Sequence, residues 1–170
     1  AYACGLGLYE MYLNGERVGD EYLTPYYNDY HFWMQYQTYD VTRLLHEGDN
    51  VLGAMLGNGW YKGRFGFEAN PRHGLFGDRF SFLCELRVTL EDGRELCFGT
   101  DRSWRWAPSP VLESSIYDGE VYDARLAIPG WCSDACEPAG FRPVERAEES
   151  YTRLSERLSV PVRITETLAV

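Results

Sequence analysis

The sequence has no apolar run approaching the eighteen or so residues of a membrane-spanning helix, no basic patch, and hardly any helical periodicity. The first absence leaves these residues without a helical membrane span. The second, with a net charge of −10, argues against nucleic acid and anionic membranes as partners, since both are held through clustered lysine and arginine. The third removes helical bundles and alternating strand–helix folds. A glycine-rich phosphate cradle, a nucleophile elbow and paired zinc-type cysteine spacing are also missing. The histidines, His31, His46 and His73, are scattered without ligand spacing and receive no role. There is neither an initiator methionine nor a basic leader. Ala1-Tyr2-Ala3-Cys4 reads like the middle of a strand, so the sequence is expected to be a piece of a longer one.

Cysteine is sparse and odd in number: Cys4, Cys84, Cys97, Cys132 and Cys136. Cys84 and Cys97 lie in apolar strand patterns, where small buried thiols are ordinary. Cys132-x-x-x-Cys136 is spaced for a bridge or a metal, but a single pair does not specify either. Free structural thiols are the expectation. They point to a reducing compartment and a cytoplasmic location.

What is present is a chain of 170 residues, 45% apolar, enough for one well-buried core and too short for two ordinary domains. It reads as short strands punctuated by turns. Residues 8–19, "LYEMYLNGERVG", alternate and carry Asn14-Gly15, a strong hairpin signal. Residues 34–42 alternate again, and 41–50 hold one helical turn before Gly48. Residues 50–60, "NVLGAMLGNGW", read as a buried strand ending in glycines. Residues 79–101 outline a hairpin with Asp92-Gly93 at its tip. Pro108 and Pro110 restrict their segment to an edge or a loop, and Trp104 and Trp106 alternate as packing residues. Residues 61–79 are too glycine-rich for a strand and form a long loop, of the kind that often carries function. Strands at this spacing without intervening helices predict an antiparallel sandwich. From about Glu145 the composition turns charged and then apolar. The division expected is a β-sandwich over 1–147, followed over 148–170 by a connector or strand leading to another domain.

Four blocks, "GLGLYEMYLNGERVGDEYLTP", "QYQTYDVT", "NVLGAMLGNGWYKGRFGF" and "IYDGEVYDAR", stand in an order that resembles the N-terminal domain of bacterial α-L-rhamnosidases. The matching blocks cover most of residues 5–145, and "VPVRITETL" is similar to that family's exit into its next domain. The resemblance implies an all-β, antiparallel β-sandwich of jelly-roll, galactose-binding-like type. It also implies a parent enzyme that releases terminal L-rhamnose with inversion, using two glutamates on an (α/α)₆ barrel, none of which is in this sequence. Some relatives bind L-rhamnose through calcium as a carbohydrate-binding module. The sequence then reads either as a non-catalytic module that binds or orients rhamnosides, or as a purely architectural domain that packs on the barrel without binding sugar; the expected partners are a rhamnose-containing carbohydrate and a catalytic domain in cis. Two departures fall in loops. Tyr26-Tyr27 replaces the family's Gly-Trp after "LTP", and an Asp-Asp-Ser element is missing between Trp131 and "FRPV".

"SSIYDGEVYDAR" (114–125) clusters Asp118, Glu120 and Asp123. A glycosidase needs two carboxyls flanking one bond, roughly 5 to 9.5 Å apart on opposite sides of the sugar. In an extended stretch Asp118 and Glu120 share a face and Asp123 points away, so the segment holds no catalytic pair. It reads otherwise as a turn with an Asp123–Arg125 ion pair, as a calcium or sugar contact, or as a contact with the catalytic domain. No cofactor is required. If calcium is held, Asp118, Glu120 and Asn58 are the expected ligands, drawn from two loops. Sugars are gripped by aromatic faces and by planar amide or guanidinium groups. Asn58, Trp60, Tyr61 and Arg64 in "GNGWYKGRFGF" supply that chemistry, with Trp60 alternatively plugging the end of the core. "TPYYNDYHFW" (24–33), with Tyr27, Asn28 and Asp29, reads either as a sugar platform or as a packing cluster. The candidate ligand-binding set is thus Tyr27, Asp29, Asn58, Trp60, Arg64, Asp118 and Glu120.

Overall fold

A computed structural model describes residues 1–67, 74–134, 136, 140–148 and 153–169. The chain folds as an antiparallel β-sandwich. Its first strand, β1 (Tyr2–Leu6), is the middle of a five-stranded sheet. β4 (Met34–Thr38) and β6 (Ser81–Thr89) flank it on either side, both antiparallel. β7 (Glu95–Gly99) pairs outside β6, and β12 (Leu154–Glu156) lies parallel to β4. The second layer is β2 (Leu8–Leu13), paired with β3 (Glu16–Arg17) and β5 (Leu52–Gly57). Two small antiparallel pairs complete the described strands: β8 (Arg105–Trp106) with the distant β11 (Arg142–Pro143), and the hairpin of β9 (Val111–Ser115) with β10 (Gly119–Tyr122).

The chain passes from one sheet to the other at Gly7, whose φ is +107°. A side chain there would put Cβ 2.5 Å from the Gly57 carbonyl oxygen, so only glycine allows the crossing. The expected hairpin follows: Asn14 and Gly15 take φ of 53° and 83°, as a two-residue turn between right-twisted strands requires. The Asp92-Gly93 hairpin also forms, with Leu90 N–H on the Arg94 carbonyl at 2.8 Å.

Period-two alternation on β2 turns Tyr9, Met11 and Leu13 into the sandwich, where they meet Ala3, Val18, Val41, Cys84 and Leu86. The Tyr9 hydroxyl crosses the layers to donate to Gln37 Oε1 at 2.7 Å, which satisfies a polar group that burial would otherwise penalise. β1 is covered on its other face as well. There Cys4 and Leu6 pack with Tyr30, Met34 and Tyr61 under the loops.

Three expectations change, those for residues 52–57, Cys97 and Trp106, while the helical turn expected over 41–50 forms. Residues 52–57 form a strand, but one of intermediate burial throughout. Cys97 is exposed, because β7 is an edge strand with every residue accessible, while Cys84 one strand inward is buried. The single helical turn at Thr42–Leu44 is a 3₁₀ turn. Trp106 is half exposed, with the Arg142 guanidinium 5.3 Å from its ring centre. His73 lies outside the described residues.

The segment expected as a connector meets the sandwich through β12 and the extended stretch after it. Leu158 N–H donates to Gln35 Oε1 at 2.8 Å, Tyr22 N–H to the Val162 carbonyl at 2.9 Å, and Arg157 pairs with buried Glu21. Among the described residues no helix is long and apolar enough to cross a membrane.

Candidate functional site

Gly59–Lys62 forms a single helical turn, α1, directly after β5. This turn separates neighbouring aromatics. Tyr61 points inward and is 8% exposed, in the second core cluster, whereas Trp60 is only half buried. The plug assigned to Trp60 is therefore Tyr61. An added Cβ at Gly77 would fall 2.2 Å from the Tyr61 hydroxyl, so the returning loop must carry glycine there. Trp60 instead donates its indole Nε1–H to the Tyr117 hydroxyl at 3.2 Å and takes the Tyr27 ring edge-on at 6.0 Å.

The other half of the site is the β9–β10 turn. Asp118 is not in an extended strand; it closes the turn before Gly119, which takes φ +86°. The Ser115 hydroxyl accepts from the Asp118 N–H at 3.1 Å and donates to Asp118 Oδ2 at 2.9 Å. That removes the shared face expected for Asp118 and Glu120. Glu120 is exposed on β10, opposite Ser114 in register. Asp123 and Arg125 form the expected pair, with Nη2 donating to Oδ2 at 2.6 Å.

The two halves are stitched together. Asn58 Nδ2 donates to the Ser114 carbonyl at 2.9 Å. Arg64, 8% exposed, donates from Nε to Asp118 Oδ2 at 3.1 Å and from Nη2 to Oδ1 at 2.6 Å. This forked geometry suits a planar guanidinium on a carboxylate. Its carbon also lies 5.0 Å from the Tyr117 ring centre and 5.7 Å from that of Phe67. Around the pair sits an open aromatic surface. Tyr27 is 44% exposed, Phe65 54% and Phe67 83%. Tyr27 contacts Phe65 at 5.3 Å between ring centres, and Phe67 contacts Tyr117 at 5.0 Å.

Of the expected residues, Tyr27, Asn58, Trp60, Arg64 and Asp118 come together. Asp29 accepts from its own turn, from His31 N–H at 3.3 Å, and Asn28 is a fully buried brace whose Oδ1 accepts from Gln35 N–H at 3.0 Å. Sequence reasoning missed Phe65, Phe67 and Tyr117. The interleaving of Arg64 with Phe65-Gly66-Phe67 was the available signal. The calcium set does not fit. Asp118 faces a guanidinium at 2.6 Å, Asn58 turns its amide N–H to Ser114, and among the described residues no group of three histidines, cysteines or carboxylates stands together.

The sequence profile of the family "Alpha-L-rhamnosidase N-terminal domain" matches residues 1–166. An alpha-L-rhamnosidase of Streptomyces avermitilis is 37% identical over 168 residues, covering 98% of this chain and 16% of that protein. One from Formosa agariphila is 38% identical over 135 residues, covering 78% of this chain and 14% of its own length. The structure superposes on the S. avermitilis enzyme complexed with L-rhamnose with a TM-score of 0.90, at 36% identity over 97% of this chain and 16% of that one. The native Aspergillus terreus enzyme gives a TM-score of 0.87 at 38% identity, over 91% of this chain and 18% of that one. The chain thus spans less than a fifth of the length of these relatives. With the profile match and the superposed sandwiches agreeing over nearly its whole length, the chain belongs to the alpha-L-rhamnosidase N-terminal domain family.

Proposed function

We propose that this chain is a non-catalytic module of an alpha-L-rhamnosidase and that it contacts the rhamnose-containing carbohydrate on which the enzyme acts. The hydrolysis, with inversion, belongs to two glutamates of a catalytic barrel in cis. The observation that carries the binding role is the open aromatic surface of Tyr27, Phe65 and Phe67 around the Arg64–Asp118 pair. L-Rhamnose has an apolar methyl and C–H faces that suit such rings, and hydroxyls that suit the partly exposed Asp118 carboxylate. The solved S. avermitilis relative is a complex with L-rhamnose, which supports that ligand class. The reading needs no calcium at Asp118.

Non-catalytic action is supported by what the carboxylates do. Asp118 is held by Arg64 and Asp123 by Arg125, and Glu120 lies on the open strand beside them. Asp118 and Asp123 are thus each engaged by an arginine rather than left as a free acid and base. The test is titration calorimetry of methyl α-L-rhamnoside into the chain, alongside an aryl rhamnoside assay. Saturable heat that disappears in Phe67→Ala, with no turnover, is expected. Turnover that tracks with the purified chain and falls on replacing Glu120 would overturn the reading.

A further inference from the structure

The hydroxyl of Tyr117 has its polarity fixed by a neighbour. It receives the Trp60 indole Nε1–H at 3.2 Å. An indole N–H can only donate, whereas a phenol offers one hydrogen together with accepting lone pairs. The phenolic oxygen is therefore the acceptor in this bond, and its own hydrogen is directed elsewhere. Among the described residues no oxygen takes that hydrogen. The site thus holds an oriented O–H donor without a protein acceptor, beside the exposed rings of Tyr27, Phe65 and Phe67.

The rest of Tyr117 is held as firmly. Its N–H donates to Ser115 Oγ at 3.2 Å, inside the turn that Arg64 clamps through Asp118. The ring stands edge-on to Phe67, 5.0 Å between centres and 77° between planes, and the Arg64 guanidinium carbon lies 5.0 Å from its centre. Phenylalanine would supply these ring contacts equally well, so packing does not account for the hydroxyl. Bracing Trp60 uses only the oxygen, and the hydrogen is surplus to it. A ring fixed from two sides beforehand loses little freedom when a ligand arrives.

We infer that Tyr117 is a specificity-determining residue of the sugar site, donating its phenolic O–H to one hydroxyl oxygen of the bound rhamnoside. Trp60 is the positioning residue behind it, aiming the hydrogen by occupying a lone pair of the same oxygen. This rests on the reading of the aromatic surface as a carbohydrate contact. The rings alone would accept any ligand with an apolar face, an aliphatic one included. A fixed donor beside them selects a ligand that carries an oxygen at the edge of its apolar face, as a sugar does. A sugar lacking that oxygen forfeits the hydrogen bond and leaves the donor unpaired, so discrimination falls on a single position of the ring.

Titration calorimetry of the chain with methyl α-L-rhamnoside and its 2-, 3- and 4-deoxy analogues tests this. Tyr117→Phe keeps the ring and is expected to weaken binding of the parent sugar about threefold to tenfold. One deoxy analogue should lose the same factor against the wild-type chain, and should bind wild type and Tyr117→Phe alike. Trp60→Phe removes the aiming N–H, and should weaken the parent sugar while sparing that same analogue. A merely structural role would lower the affinity for every analogue by one factor, so the pattern separates recognition from packing. Equal affinity of Tyr117→Phe and wild type for the parent sugar, or one uniform loss across all the ligands, would overturn the role of Tyr117 while the sugar site stands. A wild-type chain that takes up none of the ligands would overturn the reading beneath it, and this inference with it.

Discussion

Arg64 and Asp118, 54 residues apart in sequence, share two hydrogen bonds that tie the α1 loop to the β9–β10 turn. The guanidinium is nearly buried, while 58% of the carboxylate side chain is exposed. Solvent therefore weakens the attraction from one side only. Asp118→Ala leaves a buried cation without that partner and is expected to lower stability by about 1–2 kcal/mol, below the loss at a fully buried pair. A double-mutant cycle with Arg64→Leu in urea should return a coupling of about 1 kcal/mol. Additive effects would show that the two loops are held by other contacts.

Trp60 and Tyr61 separate binding from packing. Tyr61→Ala empties a place beside Cys4, Leu6, Tyr30 and Met34, and should cost about 3–5 kcal/mol. Trp60→Ala removes a half-buried ring outside both core clusters, and should cost about 1–2 kcal/mol. Denaturant midpoints of the two variants check the order. A larger loss at Trp60 would return the plug role to it.

Burial pushes the Cys4 thiol up to about 12 and the Cys84 thiol up to about 11. Below the ordinary thiol value of 9.0 both folded and unfolded chains keep these protons. As pH rises beyond it, the unfolded chain ionises first, so stability falls until the folded thiols themselves titrate. Melting temperature should therefore drop between about pH 9 and pH 12, and Cys4→Ala with Cys84→Ala should lessen the drop, the remainder belonging to Tyr9, Tyr30 and Cys132, which burial also pushes up. At pH 8 a thiol reagent should modify exposed Cys97 promptly and reach Cys4 and Cys84 only after unfolding.

Millimolar calcium is expected to leave the melting temperature unchanged, because Asp118 is already bound to a guanidinium. A calcium-dependent rise that disappears in Asp118→Asn would show that the ion displaces Arg64.

Local chemistry made much of the fold legible. Asn14-Gly15 and Asp92-Gly93 specify their hairpins through backbone preferences that act within four residues. Asp123 meets Arg125 two residues on, which spacing alone suggested. Long-range choices were not legible. Nothing near residue 154 states that it will lie parallel to residue 34, or that Arg64 will find Asp118 rather than a ligand. The inward turn of Tyr61 in place of Trp60 depends on where one helical turn begins, and a shift of a single residue would exchange them. Cys97 was misplaced because an apolar alternation does not reveal whether its strand will be central or at an edge.

The most direct test of the sugar-binding claim is the indole N–H resonance of Trp60 during titration of ¹⁵N-labelled chain with methyl α-L-rhamnoside. Trp60 Nε1 sits on the Tyr117 hydroxyl beneath the exposed rings, so a sugar on Tyr27, Phe65 or Phe67 must disturb it. A saturable shift of this resonance together with the Arg64 Nε–H signal is expected, both lost in Phe67→Ala. Resonances that stay fixed at saturating sugar, or shifts confined to another face of the sandwich, would contradict it.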